Sequence, residues 1–208
     1  METIEAVLLE PVGCLAEFPA GPFLEIAARL SGRKQTSRSG SRAYWHLLNL
    51  MEASGCPSIE RYEIEAVEAA VIYEDVSPAL SQLKAMGVRR IIASSFCNAA
   101  IARFLERCPD LEVDGIWNRD TAGGIKAAPL VQALKGASLR PERTMFLTDT
   151  AEGLKVAASA GVHAILMMND PDESRRLAAH NPAGGIVSLH ELPDFIRFVR
   201  AKKHPATL

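Results

Sequence analysis

The sequence predicts an α/β fold, a Rossmann-like doubly wound parallel sheet core into which a helical cap is inserted. Three observations predict it. From residue 76 onward, short apolar runs alternate with amphipathic stretches of about ten residues, the pattern of parallel strands linked by crossover helices. One isolated apolar run, Ile4 to Leu9, precedes them. Between the two, residues 16–75 carry apolar positions at helical spacing. The expected division is a core of residues 1–15 and 76–208 and a cap of residues 16–75.

Taken in order, the run from Ile4 to Leu9 is closed by Pro11 and Gly13 and predicts a buried strand. In the insert, Phe23, Ile26, Ala27 and Leu30 share one helical face, and Trp45, Leu48 and Met51 share another. Ile64, Val67, Val71 and Ile72 make a third amphipathic set, and the polar run from Gly32 to Gly40 separates the first two with loop chemistry. Pro78 to Met86 predicts a helix ended by Gly87. Val88 to Ala93 predicts a strand, and Asn98 to Arg107 a helix ending before Pro109. Strands are expected at Glu112 to Trp117 and Thr144 to Leu147, with Leu130 to Leu134 in a helix between them. Glu152 to Ala160 predicts a helix closed by Gly161, then Val162 to Met167 a strand. Gly185 to Ser188 and a helix through Phe195, Ile196 and Val199 complete the pattern.

Composition narrows the function classes. With 208 residues, 48% apolar and 23% charged, the chain can bury roughly 70% of its unfolded surface. Disordered, collagenous and disulfide-scaffold classes are excluded. Lys and Arg number 23 against 25 Asp and Glu, a net charge of −2, so there is no global field for nucleic acid. Cys14, Cys56, Cys97 and Cys108 show no paired spacing, which argues against a zinc ribbon and fits a reducing cytosol. The acidic N-terminus and the absence of an apolar run near 18 residues predict a cytoplasmic protein with no membrane partner.

In an open parallel sheet, ligands bind outside the carboxyl ends of the strands. Glu10-Pro11-Val12-Gly13-Cys14-Leu15 follows the first strand and Ser94-Ser95 the second. Lys126 comes after the turn Gly123-Gly124, and Thr148-Asp149-Thr150 after the strand from Thr144. A carboxylate, a hydroxyl, an ammonium and a second carboxylate are thus expected to converge on one crevice. The set suits a phosphate with or without a divalent cation: hydroxyls and helix N-terminal amides donate to phosphate oxygens, and oxygen ligands suit Mg²⁺. Plainer readings stand beside these. Glu10 can be a solvated acid at a strand end, and Asp149 the N-cap of the helix near Ala151. Cys14 suits a small buried cysteine, because none of His46, His163, His180, His190 or His204 is placed beside it as a base. Arg33, Lys34, Arg38 and Arg42 make a basic loop whose plain reading is a solvated face.

In this order and spacing, the motifs resemble those of the haloacid dehalogenase-like superfamily, in particular its phosphoglycolate-phosphatase-like branch with a helical cap. The resemblance covers nearly the whole chain. Leu8-Leu9-Glu10-Pro11-Val12-Gly13-Cys14-Leu15 stands where the family has a hydrophobic pair and Asp-x-Asp-Gly-Thr-Leu. Ile91 to Ser95 is similar to the second motif, Ile125 to Pro129 to the third, and Phe146 to Leu154 to the fourth. The resemblance implies phosphate binding by Ser94, Lys126, Gly13 and Cys14. It also implies a weak Mg²⁺ site from Glu10, the Val12 backbone carbonyl and Asp149, with Glu10 in the catalytic position.

In the family's phosphatases the first Asp of motif one attacks phosphorus, and the second protonates the leaving alkoxide and then activates water. Here Glu10 and Val12 occupy those positions. Val12 has no proton to transfer, which removes a typical factor of about 10²–10⁴. The extra methylene of Glu10 moves its oxygens by roughly an ångström, worth on the order of 10²-fold for in-line attack. The two losses do not multiply, since the residues act as a unit. The expectation is a weak or inactive phosphatase, a pseudoenzyme that retains an anion crevice for a small phosphorylated ligand. Two alternatives remain open: an active phosphomonoesterase or dehalogenase-like hydrolase using Glu10, and a partner-binding scaffold for which the basic loop and Tyr44-Trp45 are the hints.

Overall fold

A computed structural model describes residues 3–54 and 58–201; Cys56 and His204 lie outside the described residues. The strands are β1 (Ala6–Leu9), β2 (Ala16–Glu17), β3 (Val71–Ile72), β4 (Arg89–Ala93), β5 (Gly115–Trp117), β6 (Thr144–Thr148), β7 (His163–Met167) and β8 (Gly184–Ile186). The helices before β4 are α1 (Gly21–Ser31), α2 (Gly40–Ser54), α3 (Glu60–Glu68) and α4 (Val76–Ala85). Those after it are α5 (Asn98–Glu106), α6 (Arg119–Ala122), α7 (Ala127–Gly136), α8 (Ala151–Ser159), α9 (Pro171–Leu177) and α10 (Glu191–Ala201).

Six strands form one sheet in the order β5-β4-β1-β6-β7-β8, and every pairing in it is parallel. The chain runs outward from β1 through β4 to β5, then returns to the other side of β1 and continues through β6, β7 and β8. The order reverses beside β1, so the end of β1 faces the crevice where such sheets bind ligands. All four β1 residues are buried, because a central parallel strand is covered on both faces. Alternation sends Val7 and Leu9 into one core with Ile92, Met145 and Leu147, and Ala6 and Leu8 into the other with Ile91, Ala93 and Phe146. Apolar faces of α4, α5 and α10 cover the first, and those of α7 and α8 the second.

Gly87 does stand at the end of α4, at φ +69°, where Val88 N–H returns to Leu83 O at 2.9 Å. Two local expectations are corrected. Val71 and Ile72 are not helical: α3 ends at Glu68, and they pair antiparallel with Ala16–Glu17. The spacing of Val71 from Val67 was accidental, since Val71 is 65% exposed and lies on no buried helical face. The segment from Glu112 to Asp114 lies outside β5; the Asp114 carboxylate accepts from Arg90 N, Nε and Nη2 at 2.7, 2.9 and 3.0 Å, and the Asp114 N–H donates to Arg90 O at 2.6 Å. The short α6 and α9, lacking an apolar period, went unpredicted.

Helices α1, α2 and α3 pack on the first core rather than making one of their own. Phe18 and Phe23 approach Phe96 with ring centroids at 5.5 and 6.4 Å, and Tyr44 approaches Phe96 at 4.9 Å. Among the described residues no helix is long and apolar enough to cross a membrane.

Candidate functional site

Beyond β1 the chain makes a tight turn in which Pro11 O accepts from Leu15 N–H and Ala16 N–H. Gly13 holds φ at +78°, and a Cβ there would lie 2.1 Å from both Asp149 Oδ2 and Ser41 Oγ, so only glycine fits. Glu10 is not a solvated acid: it is 4% exposed. Its Oε1 accepts from Ser94 Oγ at 2.7 Å. Burial pushes the Glu10 carboxyl up to about 8, against the pull of Ser94 and the Val12 backbone, and the charges of Asp149 and Glu63 add to the rise. Burial thus favours the protonated acid at Glu10.

Asp149 stands at the end of β6 and does not cap α8. That role falls to Thr150, whose Oγ1 accepts from Gly153 N–H at 3.2 Å. The Asp149 Oδ2 accepts from Ser41 Oγ at 2.6 Å and from Asn169 Nδ2 at 3.2 Å, and Nδ2 also donates to Gly13 O at 2.6 Å. Burial raises this carboxyl to about 6 although both donors oppose it.

Lys126 is reached from α7, at φ +59°, a sparsely populated conformation for a residue with a Cβ. Its N–H donates to Ser95 Oγ at 2.7 Å. The ammonium pairs with Glu52 Oε2 of α2 at 2.5 Å. Cys14 is fully buried, and burial, followed by the charges of Asp149 and Glu10, pushes its thiol well up. It is a packed thiol and not a nucleophile.

The structure thus joins Glu10 to Ser94 and brings Gly13 to Asp149, and it gives Lys126 a carboxylate from the insert. An open cleft of about 860 Å³ is lined by Gly13, Arg38, Ser41, Arg42, Asp149 and Asn169 among others. Glu10, Ser94 and Cys14 are buried and do not contribute to that lining.

Five polar residues here were not anticipated: Ser41, Glu52, Glu63, Arg119 and Asn169. Glu63 of α3 is wholly buried, and its two carboxylate oxygens accept from Arg119 Nη1 and Nη2 at 2.8 and 2.9 Å. Cys97 N–H donates to Glu63 Oε2 at 3.2 Å. Burial pushes Glu63 up even against the Arg119 guanidinium. Arg119 and Asn169 follow β5 and β7, so the rule that read the other strand ends would have found them there. Ser41, Glu52 and Glu63 lie on insert helices and carry no local signal.

A divalent cation needs several oxygen acceptors free to face it. Glu10 is buried and accepts from Ser94, while Asp149 Oδ2 and the Gly13 carbonyl both face an amide N–H donor. Among the described residues no three His, Cys, Asp or Glu side chains gather to hold a metal. The donors set against Glu10 and against Asp149 Oδ2 do not fit Mg²⁺.

Comparison with known proteins agrees with this architecture. The family model of haloacid dehalogenase-like hydrolases matches residues 24–161. An enolase-phosphatase E1 from Acidiphilium cryptum is 30% identical over 105 residues, covering 49% of this chain and 45% of that protein. The match thus spans about half the length of the curated relatives. A phosphonoacetaldehyde hydrolase-like protein from Oleispira antarctica superposes with a TM-score of 0.74 at 14% identity, covering 96% of this chain and 94% of that one. A haloacid dehalogenase-like hydrolase from Streptococcus pneumoniae superposes with a TM-score of 0.69 at 15% identity, covering 94% and 99%. From its strand order, its motifs and the matched family model, this chain belongs to the haloacid dehalogenase-like hydrolases.

Proposed function

We propose that this protein binds a small phosphorylated or otherwise anionic ligand at the carboxyl edge of its sheet, under a cap formed by α1, α2 and α3, and that it turns over phosphate esters weakly or not at all. One observation carries the reading: the carboxyl in the nucleophile position is buried and accepts the Ser94 hydroxyl. A nucleophilic carboxylate needs an ionised oxygen with a free lone pair in line with phosphorus; burial disfavours the ionised form of Glu10, and Ser94 occupies its Oε1. Val12 supplies no proton for the leaving alkoxide. Ligand recognition is less affected. Lys126 already holds an anion, the Glu52 carboxylate, which an incoming phosphate replaces like for like. Arg38 and Arg42 line the cleft beside Asp149, to whose lining Lys126 does not contribute. The described cysteines Cys14, Cys97 and Cys108 are free thiols, in keeping with a reducing cytosol.

The test is a sensitive phosphate-release assay over a panel of phosphomonoesters, with and without Mg²⁺. Release is expected to stay at background. Turnover above about 1 s⁻¹, the low end of ordinary enzymes, overturns the reading. So does slower turnover that rises with Glu10 ionisation toward pH 8 and disappears in Glu10→Gln.

A further inference from the structure

We infer that the Asn169 side-chain amide stands where a crevice of this kind would hold a cation, and that with the Ser41 hydroxyl it makes the site metal-independent. A carbonyl oxygen and a carboxylate oxygen converging on one point is how a protein holds a hard cation. Here Gly13 O and Asp149 Oδ2 converge on a nitrogen, Asn169 Nδ2, at 2.6 and 3.2 Å. That nitrogen carries two hydrogens, one for each oxygen. Because a carbonyl oxygen only accepts, the bond to Gly13 fixes which end of the amide faces the crevice. Ser41 Oγ donates to the same Asp149 oxygen at 2.6 Å, so two neutral donors occupy the oxygen that a cation would take.

Space reinforces the chemistry. A single carbon added at Gly13 would sit 2.1 Å from both Ser41 Oγ and Asp149 Oδ2, so the Ser41 hydroxyl fills the room beside the carboxylate. The donors come from opposite parts of the chain, α2 and the end of β7. The substitution of hydrogen bonds for a metal is therefore assembled by the fold and not by one motif. The inference borrows from the proposed function only the position of the crevice. Whether phosphate binds there is a separate matter.

The test uses Mg²⁺ alone, without phosphate, on the full chain, read by thermal unfolding and calorimetric titration. The wild-type Tm is expected not to move with Mg²⁺. Asn169→Ala removes the bridging donor, and its Tm is expected to fall and then to be raised by Mg²⁺, by about 3–5 °C at ten times the dissociation constant. Asn169→Asp exchanges the donor for an acceptor and is expected to respond to Mg²⁺ in the same way; it decides the matter if the alanine variant does not fold. Stabilisation of the wild type by Mg²⁺ that Asp149→Asn abolishes overturns the inference. Failure of both Asn169 variants to respond to Mg²⁺ also overturns it, because the position then has no affinity for a cation. A negative phosphate titration bears on the proposed function and leaves this result standing.

Discussion

At the scale of single residues the chemistry turns on Glu10. In the unfolded chain its carboxyl titrates near 4.5 and in the folded chain near 8. Between those values the folded state keeps a proton that the unfolded state has released, so stability falls as pH rises across that window. The full loss is on the order of 5 kcal/mol. Asp149 acts in the same sense between its ordinary 3.8 and about 6. Glu10→Gln removes the titration while leaving an oxygen to accept from Ser94. Its Tm is expected to exceed that of the wild type at pH 8, with the gap closing toward pH 4.5. Parallel Tm-against-pH curves check this, and a gap independent of pH would mean that Glu10 is ionised in the folded chain. The sequence placed Glu10, Ser94 and Asp149 at strand ends, and the structure puts them there; Lys126 stands instead at the start of α7, beyond β5 and α6. Their immediate partners were not legible, because a hydrogen bond across the fold leaves no mark on neighbouring residues.

At the scale of elements, α2 and α3 are fastened to the sheet by polar contacts that no helical period announces. Glu63 and Arg119 form a two-pronged ion pair with the carboxylate fully buried. Removing one partner strands the other charge, so Arg119→Met is expected to cost about 3–5 kcal/mol in denaturant unfolding. Adding Glu63→Leu to it is expected to recover most of that loss, since no charge is then left buried. A double variant no more stable than the single would show that the pair acts through geometry and not through charge. The exposed pair Lys126–Glu52 is a different case, with Glu52 63% exposed, and contributes little to stability. The parallel strands were legible because each is short, apolar and bounded by turn residues. The β2–β3 pair was not: two residues per strand are too few for an alternation, and helical spacing continued by chance from Ile64 and Val67 to Val71.

For the whole molecule, the consequence is cooperativity. Phe18, Phe23, Tyr44, Leu48 and Met51 of the insert belong to the same buried cluster as Leu9, Ile92, Phe96 and Phe104 of the sheet layer. The insert has no separate core to melt on its own, so a single calorimetric transition is expected, with calorimetric and van't Hoff enthalpies equal. Two resolved transitions would show that the insert folds as an independent unit. The sequence by itself determined the alternation of strands and helices and the kinds of group that end the strands, because both are written in short-range patterns of apolar and turn residues. Only the tertiary structure decided what those groups face: Glu10 meets Ser94 across 84 positions, Asp149 meets Ser41 across 108, and Gly13 meets Asn169 across 156. Those pairings arise from packing α2 and the end of β7 around the close of β1. Long-range packing of that kind satisfies buried donors and acceptors in ways that no local period encodes.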